Sequence, residues 1–145
     1  MAAFVKRLET EPRELFGGGT AVGGAILYGA ASIDKSGFTS PRKVIDVSGD
    51  GSTNRGITAR AARDVVVARG FTVNGLPILN EERDLDKYYE ANVIGGPGAF
   101  MIAAKSFDDF ATAIRAKLIR EIAGGEEAPV DGTHRHAKVL PEDSR

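Results

Sequence analysis

Apolar and polar residues recur along the chain in two rhythms, helical and extended, punctuated by glycine clusters. From Ala2 to Glu9, Phe4, Val5 and Leu8 fall on one side of a short helical piece, and Thr10 to Phe16, with Pro12, reads as a connector. After a Gly17–Thr20 loop, Val22, Ile26, Gly29 or Ala30, and Ile33 recur at helical spacing and predict a helix to about Ile33. Small residues fill the rest of it, among them Gly23, Gly24, Ala25 and Gly29. Glycine costs ~1 kcal/mol relative to alanine inside a helix, so this one must depend on close packing. Asp34 to Arg42 is a surface connection. Val44-Ile45-Asp46-Val47 is then a short β-branched run, the pattern of a buried strand, and it stops in Ser48-Gly49-Asp50-Gly51.

The second half continues the alternation of strands and helices. Thr58 is placed to cap a helix to Arg69 with Ala61, Ala62, Val65 and Val66 inward and Gly70 just past its end. Phe71 to Leu76 reads as a second strand ended by Pro77, so residues 44–76 have the length of a parallel, right-handed strand–helix–strand unit. Asn80 to Asp84 is a polar loop, and Asp84 is placed to cap a short helix carrying Leu85, Tyr88 and Tyr89, one ring buried and one at the surface. Gly95-Gly96-Pro97-Gly98 precedes a third strand at Ala99–Ala103. Ser106-Phe107-Asp108-Asp109 is a capping-box variant opening a helix whose apolar stripe is Phe107, Phe110, Ile114, Leu118 and Ile122. Residues 124–145, rich in charge, Gly and Pro and without periodicity, read as a disordered polar tail after a domain spanning 1–123.

Composition narrows the classes. At 145 residues, 42% hydrophobic, the chain is long enough for one domain with a core, and 18 glycines point to many tight turns. Lys+Arg 19 against Asp+Glu 20 gives a net charge of -1, so there is no basic field for nucleic acid. With no cysteine, disulfides and thiolate metal sites are excluded. No apolar run approaches the roughly 18 residues of a membrane span, and the N-terminus as written lacks the apolar core of a secretory signal.

Candidate chemistry gathers at the carboxyl end of the first strand, where open α/β sheets place their ligands. Asp50 could ligate a hard cation or act as a base, or it could simply cap its own turn. Ser48 shares a side of the extended chain with Asp46 and Asp50, and both Ser48 and Asp50 lie near the loop. Asp46 lies deeper and needs a hydrogen-bonding partner. Gly17–Thr20 opening a helix suits an anion or oxygen ligand, or is a turn with Thr20 as cap. It is neither a Walker loop, which requires Gly-Lys-Ser/Thr, nor a dinucleotide fingerprint, since no buried strand precedes it. His134 and His136 lie in the tail without companion ligands, and no Ser-His-Asp arrangement is available.

The segments GGTAVG (18–23), VIDVSGDG (44–51), TVNGLPI (72–78), YYEANVIGGPGAF (88–100) and FDDFATAIRAKLIREIA (107–123) resemble a bacterial family of unknown function with a von Willebrand factor A-like domain. The resemblance implies a Rossmann-like, doubly wound parallel α/β fold and a metal-ion-dependent adhesion site built from three loops. Thr20 would stand in the second loop and Asp50, with Ser48 beside it, in the third. The implied ligand is Mg2+ or a similar divalent cation, completed by an acidic residue of a protein partner, and the implied activity is binding, not catalysis. The Asp-x-Ser-x-Ser of the first loop is not in this sequence, so the chain is expected to be N-terminally truncated. The family is typically exported, which for the full-length form implies a periplasmic or secreted protein. Two expectations follow: weak or absent metal binding by these residues, and self-association through an exposed strand at 44–48. The alternative reading is a Rossmann-type phosphate or nucleotide-binding protein or enzyme using Gly17–Thr20 and Ser48–Gly51.

Overall fold

The computed structural model describes Lys6, Thr10, residues 19–123 and the pair 138–139. The order of elements is α1 (Val22–Lys35), β1 (Lys43–Gly49), α2 (Ala59–Ala68), β2 (Phe71–Pro77), α3 (Leu85–Asn92), β3 (Ile102–Ala103), α4 (Phe110–Ala123) and β4 (Lys138–Val139). Gly17, Gly18, the helical piece expected at 2–9 apart from Lys6, which is helical, and the tail apart from 138–139 lie outside the described residues. Those two tail residues are in a strand, paired in parallel with β3.

The arrangement is α/β. β1 and β2 pair in parallel with Lys43 opposite Phe71 and Gly49 opposite Pro77. Single parallel bridges, Gly75 to Met101 and Ile78 to Ala104, carry the sheet on toward β3. The third strand is shorter than its apolar run because the Phe100 N–H is given to Asn74 Oδ1 at 3.1 Å. Gly49 O accepts from Ile78 N, which places the alternating groups of Ile45 and Val47 toward β2 and those of Val44, Asp46 and Ser48 toward the opposite edge. Among the described residues nothing pairs with that edge.

Helices cover both faces. On one, α1, α2 and α3 enclose Val22, Ile26, Ala30, Ile45, Val47, Val66, Phe71, Val73 and Tyr89. The close packing expected of the glycine-rich helix is present. A Cβ at Gly23 would stand 2.3 Å from Ile57 O, and one at Gly29 3.4 Å from Ile45 Cγ2. Thr58 caps α2, accepting from Ala61 N at 3.3 Å, and Gly70 follows the helix at φ 84°. The inward residues of α2 are Ala59, Ala62 and Val66, while Val65 is 49% exposed. Asp84 does not cap α3, because its carboxylate takes Lys87 Nζ at 2.6 Å.

On the other face α4 covers a smaller cluster of Leu76, Ile78, Ile102, Ala104 and Ala113. Of the apolar stripe read from the sequence, Phe110 and Ile114 pack against this cluster, but its other members do not. Lys117 is 1% exposed and Ala113 fully buried, whereas Phe107, Leu118 and Ile122 are 56%, 48% and 81% exposed. The cause is the face α4 meets. β1 and β2 present Asp46 and Asn74 there, and the helix turns Lys117 and Glu121 toward them. Lys117 Nζ pairs with Asp46 and, at 2.7 Å, with Glu121 Oε1, which also accepts from Asn74 Nδ2 at 2.7 Å. On its other flank Arg120 lies 4.2 Å over the Phe100 ring. No helix among the described residues is long and apolar enough to cross a membrane.

Candidate functional site

At the carboxyl end of β1 the chain turns through Gly49-Asp50-Gly51-Ser52-Thr53-Asn54, and this loop is fastened on two sides. On one side Thr20 N donates to Asn54 Oδ1 at 2.8 Å, while Thr20 O accepts from Asn54 N at 2.9 Å and Arg55 N at 3.2 Å. A Cβ on Gly51 would lie 3.5 Å from Thr20 Oγ1, so that hydroxyl borders the turn. On the other side Ser52 N donates to Glu82 Oε2 at 2.8 Å and Thr53 N to Tyr88 Oη at 3.2 Å. Residues remote in sequence thus converge on one half-buried loop beyond the sheet.

Two glycines make room for Tyr89 beneath it. A Cβ on Gly49 would stand 2.9 Å from Tyr89 Oη, and one on Gly75 2.9 Å from Tyr89 Cδ1. Tyr89 is fully buried, and its ring meets Tyr88 edge-on at 6.2 Å. Among the described residues its hydroxyl has no hydrogen-bond partner, and neither has the buried Thr53 Oγ1. Burial, and then the nearby Tyr88, Asp50 and Glu82, push the Tyr89 phenol above its ordinary range. Buried hydroxyls ordinarily find partners, so two without one in a single loop region are notable.

Ser48 and Asp50 line an open pocket of about 280 Å3 with Gly49, Ile78, Phe107 and Phe110. Of the three site residues read from the sequence, Ser48 and Asp50 therefore share this pocket, while Thr20 borders the same turn at Gly51. The residues that sequence reading missed are Glu82, Tyr89 and Thr53. Glu82 sits in a polar loop with no motif, and its only signal is that the loop follows β2 as the Asp50 loop follows β1. Asp46 is engaged elsewhere, by Lys117. Burial raises its carboxyl above the usual range against that hydrogen bond. Burial would also raise Glu121, but hydrogen bonds with Lys117, Asp46 and Asn74 hold it below.

Hydroxyl and carboxylate oxygens are the ligands hard cations take. Thr20, Ser48 and Asp50 fit such an ion in donor type, and the unpartnered Tyr89 and Thr53 hydroxyls add oxygen to the same region. Among the described residues no three His, Cys, Asp or Glu side chains are grouped to hold a metal. The set thus carries little negative charge.

A family model described as Protein of unknown function (DUF1194) matches residues 1–126. No curated protein and no solved structure matches the chain.

Proposed function

The chain belongs to the DUF1194 family of proteins of unknown function, and we propose that it is a non-catalytic binding module of von Willebrand factor A type. Its working surface is the loop edge formed by Gly19–Thr20 and Ser48–Asn54. The observation that carries this reading is the fastening of Thr20 onto the 48–55 turn, beyond the carboxyl end of parallel strands, next to a pocket holding Ser48 and Asp50. That edge is where ligands bind in open α/β sheets. Thr20, Ser48 and Asp50 would hold a divalent cation such as Mg2+, and the cation would supply an attachment point for an acidic side chain of a protein partner. Phe107 and Phe110 give the partner apolar contact beside it, Phe107 being 56% exposed. With Asp50 the one charged ligand among the three, affinity for the free cation is weak, roughly millimolar.

The nucleotide alternative fits less well. A phosphate loop needs free backbone N–H groups aimed at the anion. Here the N–H of Ser52 is taken by the Glu82 carboxylate, that of Thr53 by Tyr88 Oη and that of Thr20 by Asn54 Oδ1.

The test uses Mn2+ as probe. At millimolar Mn2+, amide resonances of residues 19–20 and 48–54 should broaden, and Asp50→Ala should abolish the effect. Broadening elsewhere, or unchanged in Asp50→Ala, refutes the cation site, and a calorimetric affinity in the micromolar range contradicts its predicted weakness.

A further inference from the structure

We infer that the chain pairs with a second copy of itself across the open edge of β1. The two strands run antiparallel about a two-fold axis at Asp46, and Arg42 of each copy reaches Asp50 of the other. The inference goes beyond the cation reading and does not depend on it.

The edge is short and its ends are defined. Val44, Asp46 and Ser48 turn their N–H and C=O groups away from β2, and among the described residues nothing takes them. One step earlier the edge is closed, because the Ser40 hydroxyl donates to Arg42 O at 2.8 Å and accepts from Arg42 N at 3.2 Å. In an antiparallel ladder, outward-facing residues exchange both hydrogen bonds with the residue opposite. A second β1 centred on Asp46 sets Val44 against Ser48, Asp46 against Asp46 and Ser48 against Val44. That register takes up every free group on both edges. A centre at Ile45 or at Val47 would leave Ser48 or Val44 facing a residue outside the edge.

Charge and apolar surface agree with the same register. Even-numbered residues here face α4, where Asp46 meets Lys117 and Arg42 Nη2 donates to Glu121 O at 3.2 Å. With Val44 opposite Ser48, Arg42 of one copy comes level with Asp50 of the other on that face. Neither is in an ion pair among the described residues. The Asp50 pocket, walled by Phe107 and Phe110, offers a guanidinium a carboxylate and aromatic rings together. The Asp46 carboxylates that meet at the axis each have a Lys117 ammonium already, which offsets their repulsion. Arg120 lies over Phe100 on the β3 side of α4, so Leu118 and Ile122 stand on the other flank, toward the open edge, and both are exposed. A lone partner strand would leave that flank bare. A second copy sets its own Leu118 and Ile122 against it. The patch is small, so the dimer is weak, with a Kd of roughly tens to hundreds of micromolar.

The experiment is sedimentation equilibrium of the full chain from micromolar to millimolar concentration, in EDTA so that no divalent cation contributes. Arg42→Glu sets two acids against each other at both ends of the interface, and Asp50→Lys sets two bases. Each variant alone should dimerise at least about tenfold more weakly than wild type. Mixed in equal amounts, the two variants form a pair with opposite charges at both ends, and the mixture should recover wild-type affinity within about threefold. Val44→Pro removes an outward N–H that has no partner in the monomer, and should give a folded monomer. Thermal melts establish that each variant is folded. A wild-type monomer at every concentration overturns the inference, and so does wild-type association by folded Val44→Pro. Single variants as tight as wild type, or a mixture no tighter than its components, overturn the register and the Arg42–Asp50 contact. The cation site stands or falls separately, on the Mn2+ broadening.

Discussion

Replacing Lys117 by methionine isolates the ion cluster that sets the rotation of α4. The substitution keeps length and apolar volume, so the lost quantity is the charge. In the native chain the ammonium, 1% exposed, pairs with both Asp46 and Glu121. Removing one member of a buried ion pair costs about 3–5 kcal/mol. The Asp46 side chain is 42% exposed, so water screens part of the loss, and about 2–4 kcal/mol is expected at pH 7. The pH dependence is more diagnostic. In the native protein Glu121 has a depressed pKa, so it adds stability above its unfolded value and loses it as pH falls through the folded one. Asp46 is raised, chiefly by burial, and contributes with the opposite sign. Without the lysine both carboxyls must rise, since each has lost its cation and faces the other. A raised carboxyl costs stability above its unfolded pKa, and that cost disappears as pH falls. The penalty of Lys117→Met should therefore shrink between pH 7 and pH 4.5, by about 1.4 kcal/mol for each pKa unit gained by the pair. Urea denaturation of wild type and variant at both pH values measures this. Adding Asp46→Asn should recover more than half of the loss at pH 7. A penalty equal at the two pH values, or a double variant no better than the single, would refute the electrostatic account.

Two further expectations concern the loop edge and the sheet. Gly49→Ala places a methyl 2.9 Å from the rigid, buried Tyr89 hydroxyl and should cost about 1–3 kcal/mol in a thermal or chemical melt, most of it recovered in a Tyr89→Phe background. The open edge of β1, with the Val44, Asp46 and Ser48 backbone unpaired among the described residues, should drive concentration-dependent self-association in sedimentation velocity. A single monomer boundary at all concentrations, with a cooperative melt, would count against it.

Where the chain's period reported on one apolar surface, the sequence was a sound guide. Val22, Ile26 and Ala30 on α1, the Val44–Val47 strand and the Thr58 cap all stand as their residue types imply, because each meets an apolar face or its own backbone. It misled where the facing surface was polar. Phe107, Phe110, Ile114, Leu118 and Ile122 form a clean stripe at helical spacing, yet only Phe110 and Ile114 pack inward, and Asp46 and Asn74 across the interface draw Lys117 and Glu121 in where Leu118 and Ile122 were expected. No helix carries a record of what its neighbour's face contains. Asp84 shows the local version of the same competition, giving to Lys87 the oxygen that would have capped α3. Of the residues at the loop edge, Thr20, Ser48 and Asp50 stood out as candidates through Gly-rich turns beside hydroxyls and a carboxylate. Glu82 and Tyr89 did not. Their approach to the turn after β1, Glu82 at Ser52 and Tyr89 under Gly49, is created by the parallel register of β1 and β2, and no local spacing encodes it.

The division of the interior into two buried clusters bears on how the molecule comes apart. Local opening free energies track the apolar contacts each segment must give up. The unit of α1, β1, α2, β2 and α3 shares the larger cluster, while α4 and β3 rest on the smaller one and on the polar contacts of Lys117 and Glu121. Detachment of α4 is thus a cheaper event than global unfolding, and it couples two outcomes that look unrelated. It dismantles the Asp46–Lys117–Glu121 contact, and it strips Phe107 and Phe110 from the wall of the pocket beside Asp50. Occupancy of that pocket and retention of the last helix are two readings of one equilibrium.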